Sequence, residues 1–449
     1  MLERVRPPGP PQQLLLGSFR DFARDPTGFL LRNARTYGDL IHYHIGPMYV
    51  YQVNHPDLIA EVLLHKKQSF MKERMTREMS LFLGSGLVTS EGGLWKRQRK
   101  TIAPVLKYKQ IAHYANVMVA LSQRFASQLG DGEHRDIHSD IMKVTLSIVA
   151  QTLFETEVAE DGERIGYALI DLLNTYEQLL TTWRRFVPKQ VPLALRRRIQ
   201  RATAELDAVI FDLIESKRQA GCTGDDLLSR LMMARDEDGQ PMSDRQVRDE
   251  IATMFLAGHE TSALGLSYAI HLLCEHPEAY ARVENEIATV IGDRPATAAD
   301  FAELPFTTAV FREAMRLYPP VWAFGRTATE DCEVGGYPVR KGWQITISQY
   351  SMHRDSRWFD KPDGFHPERW LDGLDKRLPR FVYLPFGGGP RICIGNHFAM
   401  MMSVLVLATI TQRVRFASRP GHPLVLQPTV SLRPKHGVHV STEVRSLPS

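Results

Sequence analysis

The sequence predicts a mainly α-helical protein with small β-sheets, arranged as one large domain across residues 1–449. Apolar residues recur at three- and four-residue spacing through most of residues 95–320, which is the period of amphipathic helices. Runs typical of strands are short and lie in small clusters, and no stretch has the composition of a domain linker. The fold class is therefore α+β, with helices in the majority.

The remaining elements follow in chain order. Residues 40–45 and 48–53 alternate like strands on either side of Gly46-Pro47 and predict a hairpin. Helical periodicity predicts four helices, at Val117–Leu129, Ile141–Phe154, Arg198–Lys217 and Pro277–Ile291. Another helix ends before Pro319-Pro320. After it come strand-like runs at 333–339 and 344–348, Pro- and Gly-rich loops at 354–392, a final helix, and a second predicted hairpin at Val430–Val440.

The clearest helix runs from about Ser243 to the break at His276-Pro277. Ser243 and Gln246 form a capping-box pattern at its start. Its ~33 residues would span roughly 50 Å at 1.5 Å per residue. Since nearly every face is apolar between Ile251 and Leu273, we expect this helix to pass through the centre of the protein.

Composition excludes several classes of protein. The balance of 55 Lys+Arg against 51 Asp+Glu gives a net charge of +4, too mild to indicate a nucleic-acid partner. The longest uncharged, membrane-like stretch, residues 398–411, is shorter than the roughly 20 residues of a membrane span. The four cysteines form no CxxC pair, which disfavours a zinc site and favours a reducing compartment. We therefore expect a soluble, cytoplasmic monomer.

The most informative segment is the glycine-rich run FGGGPRICIG at residues 386–395. Three consecutive glycines allow a tight bend and a close approach to another group. Cys393 stands just before an apolar helix, whose N-terminal N–H groups and dipole would favour the thiolate. For a run of this kind taken alone, a glycine turn with a buried structural cysteine is the simpler interpretation.

The run resembles the haem-ligand signature of the cytochrome P-450 family, Phe-x-x-Gly-x-Arg-x-Cys-x-Gly. All its fixed positions match: Phe386, Gly389, Arg391, Cys393 and Gly395. The resemblance implies haem b as cofactor, with the Cys393 thiolate as axial ligand of the iron, where it favours O–O cleavage. It also implies that Phe386 shields the sulfur and that Arg391 pairs with a haem propionate.

A second site interrupts the long helix at residues 257–261. A helical Gly258 costs about 1 kcal/mol against alanine, and burying Glu260 or Thr261 is costly unless each is hydrogen-bonded or used. A helix kink with satisfied polar groups is the alternative. The family resemblance matches this stretch to an acid–alcohol pair. It implies that Gly258 leaves room for haem or dioxygen, that Thr261 hydrogen-bonds dioxygen, and that Glu260 relays protons.

Glu313 and Arg316 stand at i and i+3, so they share a helix face. As a surface pair they would contribute well under about 1 kcal/mol. The resemblance matches them to the family's Glu-x-x-Arg motif, and the Pro367–Trp370 stretch to its downstream partner. It implies that Arg369 joins Glu313 and Arg316 in a buried charge network that stabilises the haem-side core, a structural role.

Trp95 and Arg99 lie four residues apart, hence on one helix face. The resemblance implies that this pair and Arg326 contact haem propionates. The other face carries a short basic patch of Lys96, Arg97 and Lys100. The patch is either a solvated helix face or a docking surface for an acidic electron-transfer protein.

By the same resemblance, the candidate substrate-pocket residues are all apolar. They are Phe82, Leu83, Leu87, Val88, Phe255, Ala257, Val321, Trp322, Phe324 and Val430. This composition favours a lipophilic ligand held by shape and area. A fatty acid, a terpenoid and a steroid all fit.

These motifs predict a monooxygenase that inserts one atom of dioxygen into a C–H bond of a lipophilic substrate. A peroxygenase or isomerase, or a non-catalytic haem-binding protein, is the alternative, and the Glu260-Thr261 pair disfavours each. The Pro-rich segment 7–11 resembles the hinge that follows the anchor of microsomal members, yet little chain precedes it. We expect a bacterial-type member without membrane anchor or fused reductase, supplied with electrons by a ferredoxin or flavodoxin and its reductase.

Overall fold

The computed structural model describes residues 6–445 apart from 155–158, 182–193, 223, 225 and 236–238. The chain forms two compact units, each assembled from segments that are far apart in the sequence. The first, here called the sheet unit, contains residues up to 75 together with 312–393 and 426–433. The second, the helical unit, contains 76–311, 394–425 and the residues from 434 onward. The prediction of a single domain stays a prediction.

Helices dominate the described residues, which confirms the predicted fold class. In chain order the α-helices are α1 (Phe19–Arg24), α2 (Pro26–Tyr37), α3 (Pro56–Ala60), α4 (Arg74–Glu78), α5 (Ser80–Leu83), α6 (Gly92–Ile102), α7 (Tyr108–Ser127), α8 (Ile137–Phe154), α9 (Ala159–Thr181), α10 (Ala194–Gln219), α11 (Leu227–Met233), α12 (Asp244–Glu275), α13 (Pro277–Val290), α14 (Pro305–Leu317), α15 (Gln349–Met352), α16 (Leu374–Arg377) and α17 (Asn396–Arg413). The strands are β1 (Leu40–Ile45), β2 (Met48–Val53), β3 (Phe70–Lys72), β4 (His134–Asp136), β5 (Phe324–Ala328), β6 (Cys332–Val334), β7 (Tyr337–Val339), β8 (Gln344–Ile347), β9 (Val414–Ser418), β10 (Leu426–Pro428), β11 (Leu432–Pro434) and β12 (His439–Val444).

The sheet unit is built on a five-stranded sheet of order β1-β2-β8-β5-β3. The hairpin predicted around Gly46-Pro47 is confirmed, because β1 and β2 pair antiparallel from Leu40 opposite Val53 to Ile45 opposite Met48. Alternate residues of these strands point to opposite faces. Accordingly, Tyr51 and Val53 join one buried apolar cluster while Val50 joins another.

The hairpin predicted at Val430–Val440 is wrong. β11 pairs with β10, whereas β12 is the middle strand of a separate three-stranded sheet, β4-β12-β9. The main chain turns at Gly437, where φ is +77°, and the Asp136 carboxylate at the end of β4 then accepts a hydrogen bond from Val438 N at 2.9 Å. Strand-like composition identified the strand, but its partner is set by this contact, which is remote in sequence.

The helical unit is centred on α12, as predicted. The Ser243 hydroxyl caps the helix by accepting a hydrogen bond from Gln246 N at 3.2 Å. Only this half of the capping box forms, and the Gln246 side chain donates from Nε2 to Ser85 O and to the Glu250 carboxylate. Almost all residues between Val247 and Leu273 are buried.

The other helices predicted in this unit are confirmed to within a few residues at most ends, as α7, α8, α10 and α13 show. α7 begins nine residues earlier than the predicted Val117. The apolar stretch at 398–411 lies in α17, which is buried along most of its length and packs against α7. No described helix combines the length and the apolarity that crossing a bilayer would require.

Candidate active site

The glycine-rich loop of the sheet unit ends at Cys393. Gly387 and Gly389 adopt φ values of +69° and +70°, a region that favours glycine. A Cβ atom on Gly389 would lie 2.6 Å from the main-chain oxygen of Leu63, so this glycine also permits a close approach. Cys393 N donates a hydrogen bond to Phe386 O at 2.9 Å, which closes the loop and leaves the cysteine exposed.

The four cysteines differ in their suitability as thiolate ligands. Burial raises the pKa of the Cys274 thiol to about 12, and burial also raises the pKa of the Cys332 thiol. The half-buried Cys222 points its thiol at the main-chain oxygen of Lys217, at 3.6 Å. Cys393 alone of the four is exposed. An exposed cysteine at the end of a glycine-rich loop fits a thiolate that binds the iron of a haem group.

In the helical unit, α12 presents an accessible strip in the middle of its buried length. Ala257 is exposed and Gly258 and Thr261 are half-buried, although the residues on both sides are buried. These positions fall at i, i+1 and i+4, on one side of the helix. A small-residue strip of this kind is what a planar group lying against the helix requires, so these residues also fit haem.

The polar groups of this stretch are held by the helix itself. Thr261 Oγ1 donates to the main-chain oxygen of Ala257 at 2.7 Å, and Ser262 Oγ donates to that of Gly258 at 3.0 Å. The carboxylate-bearing Glu260 is only 4% exposed. α12 continues as one helix through these residues, so bonding of side chains to the preceding turn does not end it.

The sheet unit brings Glu313, Arg316 and Arg369 together. Arg316 donates from Nε and Nη2 to the two Glu313 carboxylate oxygens at 2.9 and 2.8 Å, and both side chains are fully buried. Arg369 Nε lies 3.1 Å from Glu313 Oε1, and burial lowers the pKa of the Arg369 guanidinium. Trp370 Nε1 and His366 N also donate to this carboxylate, at 2.9 and 3.0 Å.

The residues predicted to contact propionates lie in both units. In the helical unit, Arg99 Cζ is 5.8 Å from the centre of the Trp95 ring, so the pair shares one face of α6. The basic patch of Lys96, Arg97 and Lys100 is exposed. In the sheet unit, Arg326 and Arg391 are half-buried, and Arg326 Nη1 donates to Gly325 O at 2.8 Å.

The candidate pocket residues have different surroundings. Phe255 is fully buried and stacks on Phe154, with ring centres 4.5 Å apart, and Trp322 Nε1 donates to Thr429 O at 2.9 Å. Both rings therefore serve the core of their own unit. The remaining candidates are Phe82, Leu83 and Leu87, which are buried; Val88, Val321, Phe324 and Val430, which are half-buried; and Ala257, which is exposed.

Sequence reasoning missed three consecutive charged residues at the start of α12. Arg248 and Glu250 are fully buried, and Asp249 is 4% exposed. Asp249 Oδ2 accepts from Ser85 N at 2.7 Å and Glu250 Oε2 accepts from Leu87 N at 3.0 Å. Their burial could have been predicted from the sequence. Three successive residues of a helix point in directions about 100° apart, so they cannot all face solvent on a central helix.

Comparison with known proteins identifies the class to which this fold and these residues belong. The cytochrome P450 family model matches residues 7–440, and the chain belongs to that family. It is 36% identical over 433 residues to cyclooctatin synthase of Streptomyces melanosporofaciens, covering 95% of this chain and 93% of that protein. It is 32% identical over 412 residues to pentalenene oxygenase of Streptomyces avermitilis, covering 90% of each.

A solved structure has the same fold. The retinoic acid-bound cyanobacterial CYP120A1 superposes with a TM-score of 0.86 at 27% identity, covering 98% of this chain and 99% of that one. The chain is accordingly a haem-dependent monooxygenase of the cytochrome P450 family, similar to bacterial members.

Proposed function

We propose that this protein hydroxylates a C–H bond of a lipophilic terpenoid, using haem b held by the thiolate of Cys393. The observation that carries the proposal is the exposed Cys393 on its closed glycine loop, within a complete family signature. When bound, haem would supply the activation of dioxygen, and the side chains of this protein would supply binding, orientation and protons.

The half-buried arginines would orient the cofactor by its propionates. Arg326 and Arg391 in the sheet unit and Arg99 in the helical unit are the candidates, and guanidinium groups bind carboxylates with two parallel hydrogen bonds. The Trp95 ring beside Arg99 holds that guanidinium in place.

Thr261 and Glu260 would handle protons. The Thr261 hydroxyl hydrogen points at Ala257 O, so its oxygen keeps lone pairs that can accept another hydrogen bond. A rotation about the Cβ–Oγ1 bond releases the hydrogen from that carbonyl. Thr261 would then pass a proton on, and the carboxyl of Glu260 would supply the next one.

The choice of a terpenoid over a fatty acid or steroid rests on the relatives. Cyclooctatin, pentalenene and retinoic acid, the compounds in the names of similar proteins, are all built on isoprenoid skeletons. The candidate pocket side chains Leu87, Val88 and Ala257 offer only apolar contact. Burying apolar surface contributes roughly 25 cal/mol per Å², which suits a hydrocarbon skeleton.

Electrons would come from a separate ferredoxin or flavodoxin. The exposed Lys96, Arg97 and Lys100 on α6 form the basic patch that an acidic carrier would dock on.

The first experiment is a carbon monoxide difference spectrum of the dithionite-reduced protein. We expect a strongly red-shifted Soret band in the wild type and in Cys332→Ala, and its loss in Cys393→Ala. An unshifted band in the wild type, or a shifted band that survives in Cys393→Ala, contradicts the assignment of Cys393. Turnover of a terpenoid panel with a ferredoxin and its reductase then tests the substrate class, and oxidation of fatty acids alone would reject it.

A further inference from the structure

The loop at residues 84–90, between α5 and α6, is fastened to α12 through its main chain. Asp249 Oδ2 accepts a hydrogen bond from Ser85 N at 2.7 Å. The next residue of the helix, Glu250, accepts through Oε2 from Leu87 N, two residues further along the loop, at 3.0 Å. Two neighbouring carboxylates of one helix thus hold two alternate amides of the loop.

A glutamine and a second helix complete the fastening. Gln246 Nε2 donates to Ser85 O at 3.1 Å and to Glu250 Oε1 at 3.0 Å. Gln98 Nε2, on α6, donates to the same Ser85 oxygen at 2.6 Å. Both main-chain polar groups of Ser85 therefore have partners, and both oxygens of Glu250 accept hydrogen bonds.

The loop also lies unusually close to α12. A Cβ atom on Gly86 would lie 2.5 Å from the main-chain oxygen of Asp249 and would clash with the Thr253 hydroxyl. A Cβ atom on Gly84, where φ is +59°, would collide with the Asp249 carboxylate. Glycine at these two positions is what allows the amides to reach the carboxylates.

Stability alone does not explain two buried carboxyl groups at this place. Asp249 and Glu250 are buried next to each other, and burial raises the pKa of both carboxyl groups. Apolar residues of similar volume commonly stabilise such sites as well or better. Charged residues are generally kept out of protein cores, and exceptions tend to occur where function requires them. Here the loop that the two carboxylates hold carries the pocket candidates Leu87 and Val88.

We propose that Asp249 and Glu250 are positioning residues that fix the 84–90 loop, and that the fixed position of Leu87 and Val88 determines which bulky lipophilic ligands the enzyme accepts. The inference deepens the proposed function and rests on its assignment of Leu87 and Val88 to the substrate pocket. Neither carboxylate needs to touch the substrate.

The test compares a small and a bulky haem ligand on the reconstituted holoenzyme. Imidazole binds to the haem iron and needs little further room. The phenyl group of 4-phenylimidazole also has to fit into the space beside the iron. In Glu250→Leu, which has no acceptor for Leu87 N, we expect the dissociation constant of 4-phenylimidazole to change about tenfold or more relative to that of imidazole. Glu250→Gln, which keeps one acceptor oxygen for Leu87 N but loses the acceptor for Gln246 Nε2, should restore most of the wild-type ratio. Asp244→Asn is the matched control, because this carboxylate on the same helix pairs with Arg218 at 2.6 Å and does not hold the loop.

Hydrogen exchange gives a second readout that needs no haem. Amides of residues 84–90 should exchange about tenfold faster in Glu250→Leu, with those of α17 unchanged. Gly86→Ala pushes the loop away from α12 while keeping both carboxylates. It should shift the ratio of the two ligand dissociation constants similarly, and it replaces Glu250→Leu in the test if that variant does not fold. An unchanged ratio, or an equal loss of both ligands, overturns the inference. A wild type without a thiolate spectrum would instead count against the proposed function, and the exchange experiment would still decide whether the carboxylates hold the loop.

Discussion

The carboxylate of Glu313 and the guanidinium of Arg316 face each other one helical turn apart, joined by two hydrogen bonds of 2.8 and 2.9 Å and fully withdrawn from solvent. Arg316 also donates hydrogen bonds to two main-chain oxygens, those of His353 at 2.8 Å and Gly364 at 2.7 Å. The pair therefore anchors a loop region that has no regular secondary structure of its own to hold it.

Glu313→Gln should lower the free energy of unfolding by about 3–5 kcal/mol, because it leaves a buried guanidinium without its counter-charge. Urea unfolding followed by circular dichroism measures this. Asp375→Asn, which breaks the partly exposed pair with Arg312 at 3.1 Å, should cost under about 1 kcal/mol. Equal losses of unfolding free energy in the two variants would show that the buried Glu313 network contributes no more to stability than the partly exposed pair.

Thr261→Ala should keep haem and substrate binding but divert electrons from product to hydrogen peroxide, because the variant lacks the hydroxyl that we propose to pass protons. The ratio of product formed to NAD(P)H consumed, with peroxide measured in parallel, gives the answer. Thr261→Ser should restore most of the coupling. Thr289→Ala is the matched control, since that hydroxyl makes the same kind of bond to the carbonyl four residues back, on an exposed face. Unchanged coupling in Thr261→Ala would remove this residue from the mechanism.

Acid should destabilise the protein in part through His353. Burial and the nearby Arg316 and Arg354 lower the pKa of this imidazole to about 3, and its Nε2 accepts from Leu384 N at 3.0 Å. The unfolded chain therefore binds a proton that the folded chain refuses, and stability falls as the pH drops from about 6.5 towards 3. His353→Gln should flatten this slope by up to about 1.4 kcal/mol per pH unit. Parallel slopes in variant and wild type would contradict the prediction.

Glu250 should act in the opposite direction. Burial, with the neighbouring Asp249 charge, raises the pKa of this carboxyl to about 8 despite its bonds to Leu87 N and Gln246. The folded state holds the proton up to a higher pH than the unfolded state, so this contribution to stability is complete below about pH 4.5 and is lost as the pH rises through about 8. Glu250→Gln should lose less stability than the wild type between pH 6.5 and 8.5. Unfolding curves across that range would refute the pKa shift if the two proteins changed equally.

The basic patch on α6 should control the rate of reduction by a carrier protein. Replacing Lys96 and Arg97 by Glu should slow reduction by a ferredoxin roughly tenfold or more at low salt and weaken its salt dependence, because steering depends on complementary charge. Reduction by dithionite is the internal control, and Lys143→Glu on the exposed side of α8 is the control variant. A rate that is independent of the charge at these positions would place the docking surface elsewhere.

The sequence predicted best what depends on local periodicity and on short motifs. α12 was placed almost to the residue, because its apolar faces and its capping serine are local signals. The partner of β12 was missed, since strand pairing depends on contacts such as Asp136 with Val438 that no local pattern contains. The sequence indicates that the run Arg248–Glu250 cannot face solvent throughout. It does not indicate what holds the run, because Ser85 and Leu87, which bind Asp249 and Glu250, lie more than 160 residues earlier.

The strand order of the sheet unit has a consequence for biosynthesis. β2 ends at Val53, and its parallel neighbour β8 begins only at Gln344. The ribosome needs roughly 15–60 s to deliver the intervening stretch at about 5–20 residues per second. A β1–β2 hairpin that formed during that time would have an open edge able to pair with other chains. We expect expression yield to depend on chaperones that bind nascent chains and to rise when growth temperature or promoter strength is lowered, since fewer unfinished chains are then present together.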